Sequence, residues 1–181
     1  GELGWEIHTH TADTPAIFDA VWEAGRKHGL KPFGMFALDS LRLEKGYRAW
    51  KQDLSTDYTV LQGGLDRFVK WDKPDFKGKA ALLKEKQGGV RKRFVTLVID
   101  NPGECDAPYM STLWHDGKIA GETLSGGWGH RVDKALALGM LRSDLTEPGM
   151  RVEVEIFGER FGATVQPGQA VWDPTNERIR A

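Results

Sequence analysis

From Phe94 onward the chain is a series of short strand-like runs separated by turn signals, with strict alternation of polar and apolar residues in Arg151 to Ile156. The runs are Phe94-Val95-Thr96-Leu97-Val98-Ile99, Met110-Ser111-Thr112-Leu113-Trp114, Ala135-Leu136-Ala137-Leu138-Gly139-Met140, Arg151-Val152-Glu153-Val154-Glu155-Ile156 and Arg160-Phe161-Gly162-Ala163-Thr164-Val165. A period of two places successive side chains on opposite faces, which is the signature of a strand. His115-Asp116-Gly117 and Phe157-Gly158-Glu159 supply hairpin turns. Short strands at this spacing imply an antiparallel sandwich or barrel. Ser125-Gly126-Gly127-Trp128-Gly129-His130 lies between a turn and Lys134 at the head of another strand. It reads as a tight β-corner rather than a phosphate cradle.

The first half has a different character. Trp5-Glu6-Ile7-His8-Thr9 alternates and predicts a half-buried strand. Thr14-Pro15 opens a helix in which Ile17, Phe18, Val21 and Trp22 form one apolar stripe before Gly29. Phe36 to Lys45 predicts a second helix, stopped by Gly46, with Ala37, Leu38 and Leu41 facing a core. Asp66-Arg67-Phe68-Val69-Lys70-Trp71 alternates as a further strand, and Gly78 to Lys86 makes a short helix closed by Gly88-Gly89. The expected class is α+β, with a boundary at Gly88-Gly89 between an α+β part, residues 1–88, and an antiparallel β part, residues 89–181.

Composition excludes several functions. With 25 Lys+Arg against 26 Asp+Glu among 181 residues, the chain has no excess positive charge to neutralise a phosphate backbone, so nucleic acid is not an expected partner. No run reaches the roughly 18 apolar residues of a membrane helix, and the start shows neither a signal-peptide apolar region nor a basic presequence. The chain is expected to be soluble, with no membrane partner. A single cysteine, Cys105, forbids an internal disulfide and reads as an inert thiol in a reducing compartment. The chain opens on Gly1 rather than Met, in what reads as the middle of a motif, so it is expected to be part of something longer.

Residue chemistry alone adds little. His8 and His10 would share a strand face, but no third ligand is near and no metal site is expected. His28 falls at a helix end and His115 in a turn. Asp39 and Arg42, three residues apart on a helix, read as a local ion pair. Nucleophile-elbow, phosphate-loop and dinucleotide-binding patterns do not occur.

Four ordered motifs carry a resemblance over the whole chain. Gly1-Glu2-Leu3-Gly4-Trp5-Glu6, Ala37-Leu38-Asp39-Ser40-Leu41-Arg42-Leu43-Glu44-Lys45-Gly46-Tyr47-Arg48, Asp75-Phe76-Lys77-Gly78-Lys79-Ala80-Ala81-Leu82 and Thr123-Leu124-Ser125-Gly126-Gly127-Trp128-Gly129-His130 resemble the successive signatures of the aminomethyltransferase (glycine-cleavage T-protein) family. Glu44 to Trp50 and the closing Trp172 to Arg180 resemble its dimethylglycine and sarcosine dehydrogenase branch.

The resemblance implies the C-terminal portion of a folate-binding domain followed by the family's β-barrel, with tetrahydrofolate as ligand. It implies capture of an oxidised N-methyl carbon as 5,10-methylenetetrahydrofolate, with FAD needed only if a separate upstream dehydrogenase domain or subunit exists. The upstream half of the folate domain would be a further partner. Glu6 matches the second glutamate of the Gly-Glu-x-Gly-x-Glu signature and is implied as the pterin contact. A carboxylate accepts the paired donors of an aminopyrimidine edge in a bidentate, charge-assisted way. Glu2 would belong to the turn before the strand. Tyr47, with Arg48 and Trp50, is a candidate for the folate tail or a neighbouring domain; Trp128, with His130, is a candidate for the folate channel or a packed aromatic.

Three departures refine the reading. Leu38 stands where aminomethyltransferases proper carry arginine, and Tyr47 stands where iron–sulfur-maintenance relatives carry cysteine. The family's catalytic aspartate and an upstream aromatic would precede Gly1, so no catalytic residue is assigned within the chain. A non-catalytic module of the same fold and part of a stand-alone folate-dependent methyltransferase or demethylase are the alternatives. The implied compartment is cytoplasmic, or the mitochondrial matrix in a eukaryote.

Overall fold

A computed structural model describes residues 4–180. Glu2 lies outside the described residues, with Gly1 and Leu3 of the opening motif. Three helices, α1 (Thr14–Arg26), α2 (Met35–Lys45) and α3 (Lys79–Gly88), precede six strands. These are β1 (Lys92–Ile99), β2 (Thr112–His115), β3 (Lys118–Gly129), β4 (Lys134–Arg142), β5 (Arg151–Ile156) and β6 (Glu159–Val165). The strands close into an antiparallel barrel in the order β1-β4-β3-β2-β5-β6. Leu97 opposite Val165 joins β1 to β6, so no strand edge is left open there. Two-residue turns at Asp116-Gly117 and Phe157-Gly158 register the β2-β3 and β5-β6 hairpins, as their sequences require.

Strand alternation builds two cores at once. Val95, Leu97 and Ile99 of β1 and Ala137 and Leu141 of β4 point into the barrel, where Leu113, Val154 and Ala163 meet them. The intervening Phe94 and Leu136, Leu138 and Met140 point outward and form a second cluster with Leu43 of α2 and Leu124 of β3. Strand β4 is buried on both faces, which is why its sequence is almost continuously apolar. Helix α2 is the cover of this outer layer.

Several expectations fail. Residues 5–9 form no strand, because no neighbouring strand among the described residues offers them hydrogen bonds; they run as exposed coil. Asp66–Phe68 is a single 3-10 turn followed by an irregular, lysine-rich loop, with no partner strand among the described residues. Helix α1 forms, with Pro15 in its first turn, yet buries none of its residues: Phe18 and Val21 are exposed, and Phe18 stacks on Trp22 at 6.2 Å. In α2 the face is different from that expected, since Ala37, Leu38 and Leu41 are exposed while Leu43, Glu44 and Lys45 are buried. Ser125 to Gly129 is not a corner but the second half of β3, paired with β4.

Candidate functional site

The C-terminal half of α2 meets β3, the loop 47–54 and the C-terminal tail, and a buried polar network sits at that junction. Arg42 donates from Nε to Asp39 Oδ1 at 2.7 Å, from Nη1 to Asp53 Oδ2 at 2.8 Å and to the Tyr47 carbonyl at 3.3 Å, and from Nη2 to Ser125 Oγ at 3.1 Å. The Ser125 hydroxyl donates to Asp53 Oδ1 at 2.6 Å, and the Ala49 amide donates to Asp53 Oδ2 at 2.8 Å. The Asp53 side chain is 0% exposed and that of Arg42 12%. Charges are tolerated at this depth because each has a charged or hydrogen-bonding partner. The expected Asp39–Arg42 pair is thus one arm of a larger network. Asp53 and Ser125 were not legible as its members, since nothing local in the sequence links positions 72 to 83 residues apart.

Above the network lies a cleft of about 300 Å³. Its walls include Phe36, Asp39, Gln52, Asp106, Trp128 and His130. Ser40 Oγ donates to the Trp128 carbonyl at 2.7 Å and ties the helix to the strand. The glycines of β3 make the approach possible: a Cβ on Gly126 would lie 2.2 Å from the Ala107 carbonyl oxygen, so any side chain there would displace backbone.

A second cleft, of about 400 Å³, opens where the tail crosses α2, with Lys45, Tyr47, Arg67, Gln169 and Asn176 along it. Gly46 caps α2 in the left-handed conformation, φ 62°, and a Cβ there would meet the Gln169 carbonyl oxygen at 2.2 Å. The Glu44 carbonyl accepts the amides of Val171 and Trp172 at 2.8 and 3.0 Å. Lys45 Nζ donates to the Asp173 carbonyl and to Asn176 Oδ1, both at 2.7 Å. Arg48 stacks 3.9 Å over the Phe94 ring and donates from Nη1 to Gln169 Oε1. Burial, and after it the neighbouring Arg67 guanidinium, bring the Arg48 pKa down to about 10, against the opposing pull of Asp53.

The structure does not bring the three candidate ligand contacts together. Trp128 is half-exposed on the first cleft and Tyr47 lies on the second. The Glu6 side chain is 90% exposed, its carboxylate 3.6 Å from His8 Nε2, and it lines none of these clefts. Trp50 is exposed, Cys105 is an exposed free thiol, and His115 donates from Nδ1 to the Arg151 carbonyl at 3.0 Å. Among the described residues, no group of three His, Cys, Asp or Glu is placed to hold a metal ion.

Comparison with known proteins gives this geometry a context. The GCVT N-terminal domain matches residues 1–73 and the glycine cleavage T-protein C-terminal barrel domain matches residues 92–171, in chain order. The chain belongs to the glycine cleavage T-protein family. Within the family it is 37% identical to dimethylglycine dehydrogenase, mitochondrial, of Rattus norvegicus, over 99% of this chain and 21% of that one. Sarcosine dehydrogenase, mitochondrial, of Homo sapiens is 32% identical over 99% of this chain and 20% of its own length. An aminomethyltransferase of Synechocystis sp. is 35% identical over 91% of this chain and 43% of its own. The chain therefore spans about a fifth of the dehydrogenases it matches. The aminomethyltransferase T of the Bartonella henselae glycine cleavage system superposes with a TM-score of 0.74 at 24% identity, over 86% of this chain and 43% of that one, which establishes the shared fold.

Proposed function

We propose that this T-protein family chain is the tetrahydrofolate-binding C-terminal part of a one-carbon enzyme of the dimethylglycine/sarcosine dehydrogenase kind. The observation that carries the proposal is collinearity: similarity to dimethylglycine dehydrogenase runs through 99% of the chain, across both family domains. Leu38 agrees with it, standing where a T-protein proper would place an arginine.

The donor set of the α2/β3 cleft suits a flat aminoheterocycle. Trp128, Phe36 and His130 offer ring faces, while Asp39 and Gln52 offer acceptors for ring amino groups. Arg42 donates to Oδ1 of Asp39, whose side chain stays half-exposed along the cleft. Tetrahydrofolate, when bound, supplies the secondary amine that captures a one-carbon unit as 5,10-methylenetetrahydrofolate. The part of this chain is to orient it and to exclude water. Trp128 would line the ring channel and Tyr47 the route of the tail. Glu6 acts as pterin contact only when further polypeptide closes over residues 4–10, because its carboxylate now faces solvent. In this reading the upstream half of the folate domain supplies that wall, and a flavin-bearing dehydrogenase domain or subunit supplies the oxidised methyl group. The compartment proposed is the mitochondrial matrix in a eukaryote, as the names of the two dehydrogenase relatives suggest, or the cytoplasm otherwise. No helix among the described residues is long and apolar enough to cross a membrane.

Isothermal titration of tetrahydrofolate into a longer parent protein tests the reading. Glu6→Ala and Trp128→Ala are each expected to weaken binding at least tenfold. Unchanged affinity in both variants would remove the proposed site, and no binding by the parent would remove the function.

A further inference from the structure

Away from both clefts of the candidate site, the loop after the 3-10 turn at residues 66–68 and the start of α3 enclose a groove of about 530 Å³. Its floor is apolar and includes Phe68, Phe76 and Leu82, with Val60 and Leu65 beside them. Phe68 is 64% exposed, a large aromatic left in water. Three lysines, Lys70, Lys73 and Lys77, also line the groove. The Lys73 amide donates to the Lys70 carbonyl at 3.2 Å, so a tight turn carries the first two. None of the three ammonium groups lies within 4.0 Å of a carboxylate among the described residues.

An apolar floor whose lining charges are three lysines, with Asp72 and Asp75 of the same loop outside the lining, describes an interaction site rather than a solvated face. The charge restricts what can occupy it. A fatty carboxylate brings apolar surface but one negative charge for three lysines. Inorganic phosphate brings charge but nothing for Phe68 and Phe76. A polypeptide segment that alternates apolar side chains with carboxylates supplies both, in the manner of an amphipathic segment laid in a groove. We propose that this groove docks an acidic amphipathic polypeptide segment, its apolar residues on Phe68, Phe76 and Leu82 and its carboxylates on Lys70, Lys73 and Lys77. The inference does not rest on the folate reading, since it uses none of the residues of that site.

Fluorescence anisotropy of a short fluorescein-labelled leucine/glutamate peptide of helical repeat tests it on the 181-residue chain. A leucine/lysine peptide of the same pattern and decanoate serve as controls. The glutamate peptide is expected to bind saturably, with affinity that falls as salt rises. The triple variant Lys70→Glu, Lys73→Glu, Lys77→Glu is expected to lose at least tenfold for it and to gain affinity for the lysine peptide; Phe68→Ala is expected to weaken the glutamate peptide as well. All four side chains are exposed, and circular dichroism checks that the variants fold. Equal binding of the glutamate peptide to the chain and its triple variant would overturn the proposal. So would equal affinity of the chain for the two peptides, or saturable binding of decanoate alone.

Discussion

Replacing Asp53 by alanine perturbs the junction on which both clefts of the candidate site depend. The substitution removes the acceptor of one Arg42 N–H at 2.8 Å, of the Ser125 hydroxyl at 2.6 Å and of the Ala49 amide at 2.8 Å. A buried donor left without a partner costs about 1–3 kcal/mol. The largest of the three costs belongs to Arg42, whose charge keeps only the half-exposed Asp39 as counter-ion once the buried one is gone, and breaking buried pairs costs about 3–5 kcal/mol in all. Taking about 4 kcal/mol, and about 2–4 °C per kcal/mol for a chain of this length, Tm falls by about 8–16 °C. Urea denaturation followed by tryptophan fluorescence, with calorimetry for Tm, measures the loss. The double variant Arg42→Leu/Asp53→Ala removes both charges, and its cost is expected to fall short of the sum of the two single substitutions by about 1–3 kcal/mol. A single-variant loss under about 1 kcal/mol, or strict additivity in the cycle, would refute the reasoning that the network is buried and mutually dependent.

Gly126→Ala drives a methyl group against the Ala107 carbonyl and is expected to cost about 1–3 kcal/mol by overpacking, read as a lower urea midpoint with unchanged slope. Acid should loosen the C-terminal tail first. Burial pushes the Asp173 carboxyl up, but hydrogen bonds from the Arg178 and Ile179 amides, with Lys45 nearby, outweigh it and hold its pKa below the usual carboxylate range. A lowered folded-state pKa stabilises the fold above the unfolded value of about 3.9 and loses that contribution as pH falls through the folded value. Hydrogen exchange of residues 171–179 between pH 5 and 2.5 is therefore expected to rise before that of the barrel strands, and uniform loss of protection would contradict the assignment. At the alkaline end, burial and then Glu122 push the Tyr58 hydroxyl well above its ordinary range. That contribution is complete below about pH 10 and is lost as pH rises further, so Tyr58→Phe is expected to flatten the fall of Tm above pH 10.

The barrel was legible because its evidence is local. The apolar runs of β1 and β4, the alternation of β5 and the Asp-Gly and Phe-Gly turns are each confined to a few neighbouring residues. The first half of β3 carries no pattern that marks it as a strand, and its glycine-rich second half has the sequence of a corner. Gly121, Gly126, Gly127 and Gly129 interrupt its alternation, and those glycines answer to neighbours such as Ala107 and Met140 that the local sequence does not show. Alternation misled at Trp5–Thr9 and Asp66–Trp71, since a strand needs a hydrogen-bonding neighbour as well as a pattern. The burial of Glu44 and Lys45 in preference to Leu38 and Leu41 was illegible for the same reason: the groups that satisfy them are the amides of Arg131 and Val132 and the tail atoms of Asp173 and Asn176. In the candidate site, motif order identified the family correctly, whereas the convergence of Arg42, Asp53 and Ser125 required coordinates.

The lysine at the end of α2 takes its acceptors from positions 128 and 131 residues further on. During synthesis at about 5–20 residues per second, that ammonium group therefore stays hydrated for several seconds after its helix has left the ribosome. This latch can close only after all six strands of the barrel have been synthesised, since Asp173 and Asn176 follow β6 in the chain.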